Sequence, residues 1–272
     1  MKKNTQNRIT PERFRRGLAT RTFGRIFFSF TKVTSTNDVA LYLAEGGAPE
    51  GTVVSAEIQT RGRGRQGRSW VMNEGKALAF SVVLRPKVHA DEAAKFTLAA
   101  AVGVARCIED YRLKPQIKWP NDLLLKGKKV CGILTEMGPK KDKLPSLILG
   151  IGINLHQGNG DFPKELRKTA ASLFPEGGQK PDRTAFFQRL LLRLEEACHW
   201  VSEGRFQKVL VEWRKRSAIS GCQIKVSQAH HCFYGQAVDV DEKGALLVRT
   251  DQGMVERITA GDVQTLQINS KF

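Results

Sequence analysis

Acid is scarce in this chain of 272 residues: 27 Asp and Glu stand against 44 Lys and Arg, a formal charge of +17. A field of that sign works against cationic partners and favours anions, whether nucleic acid, nucleotide phosphate or an acidic protein. Cysteine is sparse too. The five thiols, Cys107, Cys131, Cys198, Cys222 and Cys232, are odd in number and form no C-x-x-C pair, which argues against a zinc clip or redox dithiol. Scattered reduced thiols in a reducing compartment are expected instead. No apolar run approaches the roughly 20 residues of a membrane span; Ala77–Leu84 and Leu98–Ala105 are core-sized segments. The opening MKKNTQNRITPERFRR lacks the apolar stretch of a secretory signal. It is Arg-rich with Glu12 as its one acid, so an organelle-targeting peptide stays open beside the preferred reading, a flexible basic arm over 1–24. Cytoplasmic location and no membrane association follow as expectations.

The positive charge is clustered. Lys2, Lys3, Arg8, Arg13, Arg15, Arg16, Arg21 and Arg25 share the first thirty residues. Arg61, Arg63, Arg65 and Arg68 follow with no acid between them, and Lys114, Lys118, Lys126, Lys128 and Lys129 make a third patch. At 41% apolar and 26% charged, the chain reads as globular. A chain of this length buries roughly 70–75% of its unfolded surface and needs no disulfide or metal staple. His230-His231-Cys232 is a poor metal set, because neighbours on a strand point to alternate faces.

Periodicity predicts strands at Arg25–Val33, Thr52–Gln59, Leu78–Leu84 and Gln116–Trp119. Ser35-Thr36-Asn37-Asp38 starts a helix to about Glu45, stopped by Gly46-Gly47. Asp91–Asp110 reads as a helix; Leu123–Leu125 and Val130–Met137 flank a hairpin turn; Leu147–Asn154 is a strand buried on both sides. Thr184–Val201, capped by Asp182, and Phe206–Arg216 are helical. From Gly221 only short strands and tight turns remain, at Asp241–Gly244 and Thr250–Gly253. The expected architecture is α/β (α+β): a mixed-sheet domain over 25–219 and a small β module over 220–272.

Gly62-Arg63-Gly64-Arg65-Gln66-Gly67-Arg68 carries the chemistry. It contains G-x-G-x-x-G, yet no helix opens after it and no acid ends a second parallel strand, so the dinucleotide fingerprint is rejected. Its glycines let backbone approach a ligand. Its arginines are permanent planar cations suited to phosphate and carboxylate. A disordered RGG-type nucleic-acid tail is the alternative, but this segment lies between two strong strands. A loop closing over an anionic intermediate fits better.

Five motifs in order, Ser35-Thr36-Asn37, Gly62–Arg68, Lys118-Trp119-Pro120-Asn121-Asp122, Lys129-Val130-Cys131-Gly132-Ile133 and Gly150-Ile151-Gly152-Ile153-Asn154, make the chain resemble the biotin protein ligases over about residues 25–268. Singly each is ordinary: a helix cap, a solvated lysine, a turn, a tight strand. The resemblance implies a mixed-sheet catalytic domain of the biotin/lipoate ligase type with an SH3-like C-terminal β-barrel. It implies a two-step reaction, in which biotin and MgATP give biotinyl-5′-AMP and a lysine of a carboxylase's biotin carboxyl carrier domain then takes the biotinyl group. By the same resemblance Ser35, Thr36 and Asn37 bind the ureido ring and Gln59 the biotin region. Arg63, Gly64 and Arg65 wrap the carboxylate and adenylate phosphate. Lys129 is the catalytic cation, and Gly132 and Gly150 line the biotin tunnel. Asn121 and Asp122 serve adenylation or the incoming lysine, and Ala171–Leu173 with Glu176–Arg183 cover the adenine. No resident metal site is implied. Two departures stand out: Gln66 in place of a frequent arginine, and Cys131 in place of a small apolar residue.

Some members add an N-terminal winged helix; the 34 residues before Ser35 leave no room for one, so no specific DNA target is expected. Relatives occur as monomers and homodimers. Two rival readings stand beside the ligase. A basic nucleic-acid-binding protein would bind with affinity falling steeply in salt and indifferent to biotin. A lipoate or octanoate ligase or transferase of related fold would normally lack the G-R-G-R-x-G-R loop.

Overall fold

In the computed structural model the described residues are 8–87, 92–141, 144–175, 180–228 and 231–266. Alternation and apolar runs become two sheets. In chain order the elements are α1 (Pro11–Arg16), β1 (Phe27–Val33), α2 (Thr36–Glu45), β2 (Val53–Gln59), β3 (Ala77–Leu84), α3 (Ala93–Asp110), β4 (Pro115–Lys118), β5 (Asp122–Leu125), β6 (Lys128–Lys141), β7 (Leu144–Asn154), α4 (Arg183–Ser202), α5 (Phe206–Arg214), β8 (Gln223–Ser227), β9 (Cys232–Val240), β10 (Leu246–Thr250), β11 (Val255–Ile258) and β12 (Asp262–Thr265). The first seven strands form one sheet in the order β1-β2-β3-β7-β6-β5-β4. β1 and β2 are parallel across the α2 crossover; the other pairs are antiparallel.

All eight residues of β3 are buried, since helices cover both faces of the sheet centre. On one side Ala40 and Ala44 of α2 meet Val54, Val83 and Ile148. On the other, α3 and α4 cross closely at Gly103, where a Cβ would stand 2.9 Å from Arg193 O and Leu194 Cα. Asp182 caps α4, its Oδ1 accepting from Ala185 N at 2.9 Å. In the next position Arg183 forms a buried ion pair with Glu57 of β2 at 3.0 Å and donates to Ala77 O at 2.9 Å.

The N-terminal segment departs from the expected flexible arm. From residue 8 onward it is part of the packed domain. Phe14 is fully buried, stacked on Phe27 with centroids 4.0 Å apart and tilted against Phe187 at 5.1 Å. The Glu195 carboxylate accepts from the backbone N–H groups of Arg21, Thr22 and Phe23 at 2.6–2.7 Å. A run read by its charge thus carries a thin apolar stripe, Ile9, Phe14 and Phe23, that belongs to the core. Residues 1–7 lie outside the described residues.

The C-terminal module is a five-stranded antiparallel sheet in the order β11-β10-β9-β8-β12. A register shift at Leu247/Val248 leaves Val238 of β9 as an extra, bulged residue against β10. Its inner face, including Ile224, Val226 and Leu246, joins the main core, and Trp119 Nε1 donates to Gly244 O at 3.1 Å. Elsewhere the elements match expectation within a few residues; β6 runs to Lys141 rather than Met137. Among the described residues no helix is long and apolar enough to cross a membrane. His230 and residues 176–179 of the expected adenine cover lie outside them.

Candidate active site

One cleft of about 1050 Å³ runs between the start of α2, the loop 62–68, the strands β5–β7 and the edge strand β12. That volume is at the upper end for a single small ligand and suits two substrates side by side.

Its inner end is a buried polar pocket. Ser35 caps α2, its Oγ accepting from Asn37 N at 3.2 Å. Gln59, at the end of β2, accepts from Thr36 N at 2.7 Å and from Thr36 Oγ1 at 3.1 Å. Ser81 Oγ donates to Asn37 Oδ1 at 2.5 Å and lies 2.8 Å from Thr36 Oγ1. Asn37 Nδ2 donates to Glu136 Oε2 at 2.6 Å. Buried hydroxyls and amides held in a network of this kind are rigid, and together they offer both donors and acceptors.

Glycines shape the middle. A Cβ at Gly150 would collide with the Asn37 carboxamide, and one at Gly152 with the Trp70 indole. A Cβ at Gly132 would stand 3.1 Å from Lys129 Cε and 3.3 Å from Trp70 Cζ3. The indole therefore lies directly on the glycine-lined floor.

Cations define the outer end. Lys129 Nζ is 2.6 Å from Asp122 Oδ1 and 6.0 Å from the Trp70 ring centroid. Backbone bonds from Lys129 N to Thr169 O at 2.7 Å and from Ala171 N to Lys129 O at 2.9 Å hold this lysine against the segment 169–171. Asn121 is locked to β6: its Nδ2 donates to Ile133 O at 2.8 Å, and Ile133 N to Asn121 O at 3.0 Å. Asn121 Oδ1 accepts from Arg65 Nη1 at 3.3 Å. The loop itself is a tight turn, with Gly64 N bonded to Arg68 O at 2.6 Å and Gln66 at φ 55°.

The four cations are not equivalent. Arg63 is bound to Asp38 at 2.6 Å and to Glu136 at 3.2 Å. Burial works against its charge, but Asp38 and Glu136 outweigh that and hold its pKa above the ordinary value. It thus sits on the wall of the polar pocket, bound to Asp38 and Glu136, whereas the resemblance assigns it to the carboxylate and adenylate phosphate. Arg68 pairs with Asp262. Among the described residues Arg65 is bound by neutral acceptors alone, Asn121 Oδ1 and Gly261 O. Burial pulls its pKa below the ordinary value, against the more distant pull of Asp262 and Asp122. Of Arg63, Arg65 and Arg68 it is the one without a carboxylate partner among the described residues, which leaves its charge for an anion. Cys131 faces the core, where burial pushes its thiol far up, so it supplies no nucleophile.

Ser35, Thr36, Asn37, Gln59, Arg63, Gly64, Arg65, Asn121, Asp122, Lys129, Gly132 and Gly150 all line this one cleft; of the expected adenine cover, Ala171–Leu173 are not part of its lining and Arg183 is instead buried against Glu57. Ser81, Glu136, Trp70 and Asp262 were missed. A lone serine inside the apolar run ALAFSVVL was the available signal for Ser81; Asp262 lies almost two hundred residues from its partner Arg68 and left none.

The chain is similar to known proteins in both sequence and fold. Residues 27–154 match the biotin/lipoate A/B protein ligase family, and residues 219–265 the biotin protein ligase C-terminal domain. The chain is 37% identical over 258 residues to the bifunctional ligase/repressor BirA of Bacillus subtilis (strain 168), covering 94% of this chain and 79% of that protein. It is 32% identical over 241 residues to the biotin–acetyl-CoA-carboxylase ligase of Mycobacterium tuberculosis, covering 86% of each. Among solved structures, the biotin protein ligase of Aquifex aeolicus in complex with biotin and ATP superposes with a TM-score of 0.77 at 29% identity, over 89% of this chain and 100% of that one. With both family models matched in order and relatives 32–37% identical over 86–94% of its length, the chain belongs to the biotin/lipoate A/B protein ligase family, on the biotin protein ligase side.

Proposed function

We infer that this protein activates biotin with ATP to biotinyl-5′-AMP and transfers the biotinyl group to a lysine of a carboxylase's biotin carboxyl carrier domain. The observation that carries the reading is one cleft with a neutral hydrogen-bonding pocket at one end and cations at the other, joined by a glycine floor. A cyclic urea presents one acceptor and two donors. Ser35, Thr36, Asn37 and Gln59 supply the complementary groups, and Arg63 orients Asn37 through Glu136. Gly132 and Gly152 let the Trp70 indole lie close on the floor, and an aliphatic tail packs along that ring with its carboxylate beside Lys129 and Arg65.

In the first step a carboxylate oxygen attacks the α-phosphorus of ATP and pyrophosphate leaves. Two anions must approach, and preplaced cations remove that repulsion and stabilise charge developing at phosphorus. Lys129, oriented by Asp122, and Arg65, oriented by Asn121, are assigned this role. Gly64 lets the loop backbone lie close to the intermediate. In the second step the carrier lysine attacks the acyl carbon and AMP leaves with the phosphate oxygen. Asp122, at the mouth of the cluster, is the acceptor assigned to that amine's proton. No enzyme nucleophile is needed; holding the partners in line lowers much of the barrier. Magnesium enters with ATP, as charge neutralisation on the phosphates. The cluster's carboxylate, Asp122, is already paired with Lys129, so these residues do not build a resident metal site.

The reading places the protein in the cytoplasm, consistent with five free cysteines. Biotin-dependent ATP–pyrophosphate exchange, with lipoate as control, tests it. Exchange with biotin alone is expected; exchange with lipoate alone, or with neither, overturns it.

A further inference from the structure

We propose that Asp262, on the C-terminal sheet, is a positioning residue that latches the loop 62–68 over the cleft, so that the C-terminal module governs how long the adenylate is held. The proposal rests on the adenylation reading above.

The loop is tied to both banks of the cleft by ion pairs of opposite direction. On one bank Arg63 binds Asp38 of α2 and Glu136 of β6. On the other, Arg68 binds Asp262 at the start of β12, and Arg65 Nη2 donates to the adjoining Gly261 O at 3.3 Å. Asp262 also lines the cleft itself, with Val263, Gln264 and Thr265. The turn that carries these arginines is too short to reach both banks by chance: Gly64 and Arg68 are bonded to each other, so Arg65 and Arg68 leave the turn together toward the C-terminal sheet. Loops of this kind open and close on the catalytic timescale, and a contact present in the closed state alone shifts the population toward closure. Asp262 satisfies Arg68 and leaves Arg65 with neutral partners, which keeps the second charge for the ligand. The core contact between Trp119 and Gly244 holds the two domains together independently of this pair, so the latch can be removed without undocking the sheet.

The test uses the full chain loaded with biotinyl-5′-AMP. Release is followed for wild type, Asp262→Asn, Arg68→Gln and the double variant, at about 50 mM and about 500 mM KCl, which brackets strong and weak screening. Each single variant should release the adenylate about two- to fivefold faster at low salt, the range for a partly exposed ion pair. The double should release no faster than either single. Wild type should lose its advantage at high salt, while the variants change little; KM for biotin should stay as in wild type. Arg68 lies on the exposed loop, so its variant reads the same pair should the Asp262 variant fold poorly. Unchanged release in both singles, effects that multiply in the double, or equal salt dependence in all four overturns the latch. A wild type that exchanges biotin normally confines such a failure to the latch; a wild type without biotin-dependent exchange removes the adenylation reading and the latch with it.

Discussion

Lys129 and Asp122 face each other at 2.6 Å from adjacent strands, one at the start of β6 and one at the start of β5. The pair fixes an ammonium beside the glycine floor. Lys129→Ala should lower the first step by about 10²–10³-fold, the scale for losing one preorganised electrostatic group. Transfer from supplied biotinyl-5′-AMP should fall far less. Single-turnover rates for the two half-reactions read the difference; equal losses would remove Lys129 from the activation step.

Arg65 differs from its neighbours in having no carboxylate partner among the described residues. Arg65→Gly should let the adenylate escape, with an effect larger than that expected at Asp262, since a charge-assisted contact to the ligand itself is lost. Labelling of bystander lysines in a mixture of proteins should rise accordingly. Retention equal to wild type in a rapid-dilution assay would contradict the assignment.

Gly150→Ala should act on biotin and spare ATP. The added methyl would push into the Asn37 carboxamide, breaking its bonds to Ser81 and Glu136. A rise in biotin KM of about tenfold or more is expected, because two or three buried hydrogen bonds are each worth about 1 kcal/mol. An equal rise in the KM for ATP would mean that the polar pocket does not serve biotin.

Phe14→Ala should destabilise the whole catalytic domain. Its ring is fully buried between Phe27 and Phe187, and a phenylalanine truncated in a packed core costs about 3–5 kcal/mol. A clear drop in Tm is expected by calorimetry. A mobile arm would leave Tm unchanged.

The sequence displayed most of the sheet. Continuous apolar strands such as Ala77–Leu84 and LILGIGIN can sit nowhere but the centre, and Ser35 and Asp182 mark helix starts by their capping chemistry. The candidate site residues came from five motifs taken together and the family they resemble, each motif being ordinary by itself. Two things were hidden for physical reasons. The short N-terminal helix buries one side chain, Phe14, among three arginines, so composition outweighed pattern. The destination of each arginine in Gly62–Arg68 was hidden because Asp38, Glu136 and Asp262 come from three distant elements. Charge pairing across a fold leaves no local periodicity to read.

Trp70 lies against Gly132 and Gly152 where a substrate tail would pass, and buried Trp119 also borders the cleft, while Trp213 is sealed in the core and Trp200 stacks under Arg106. The molecule therefore carries its own optical probe: two of its four indoles line the cleft, and occupancy can be followed by their emission without attaching a dye.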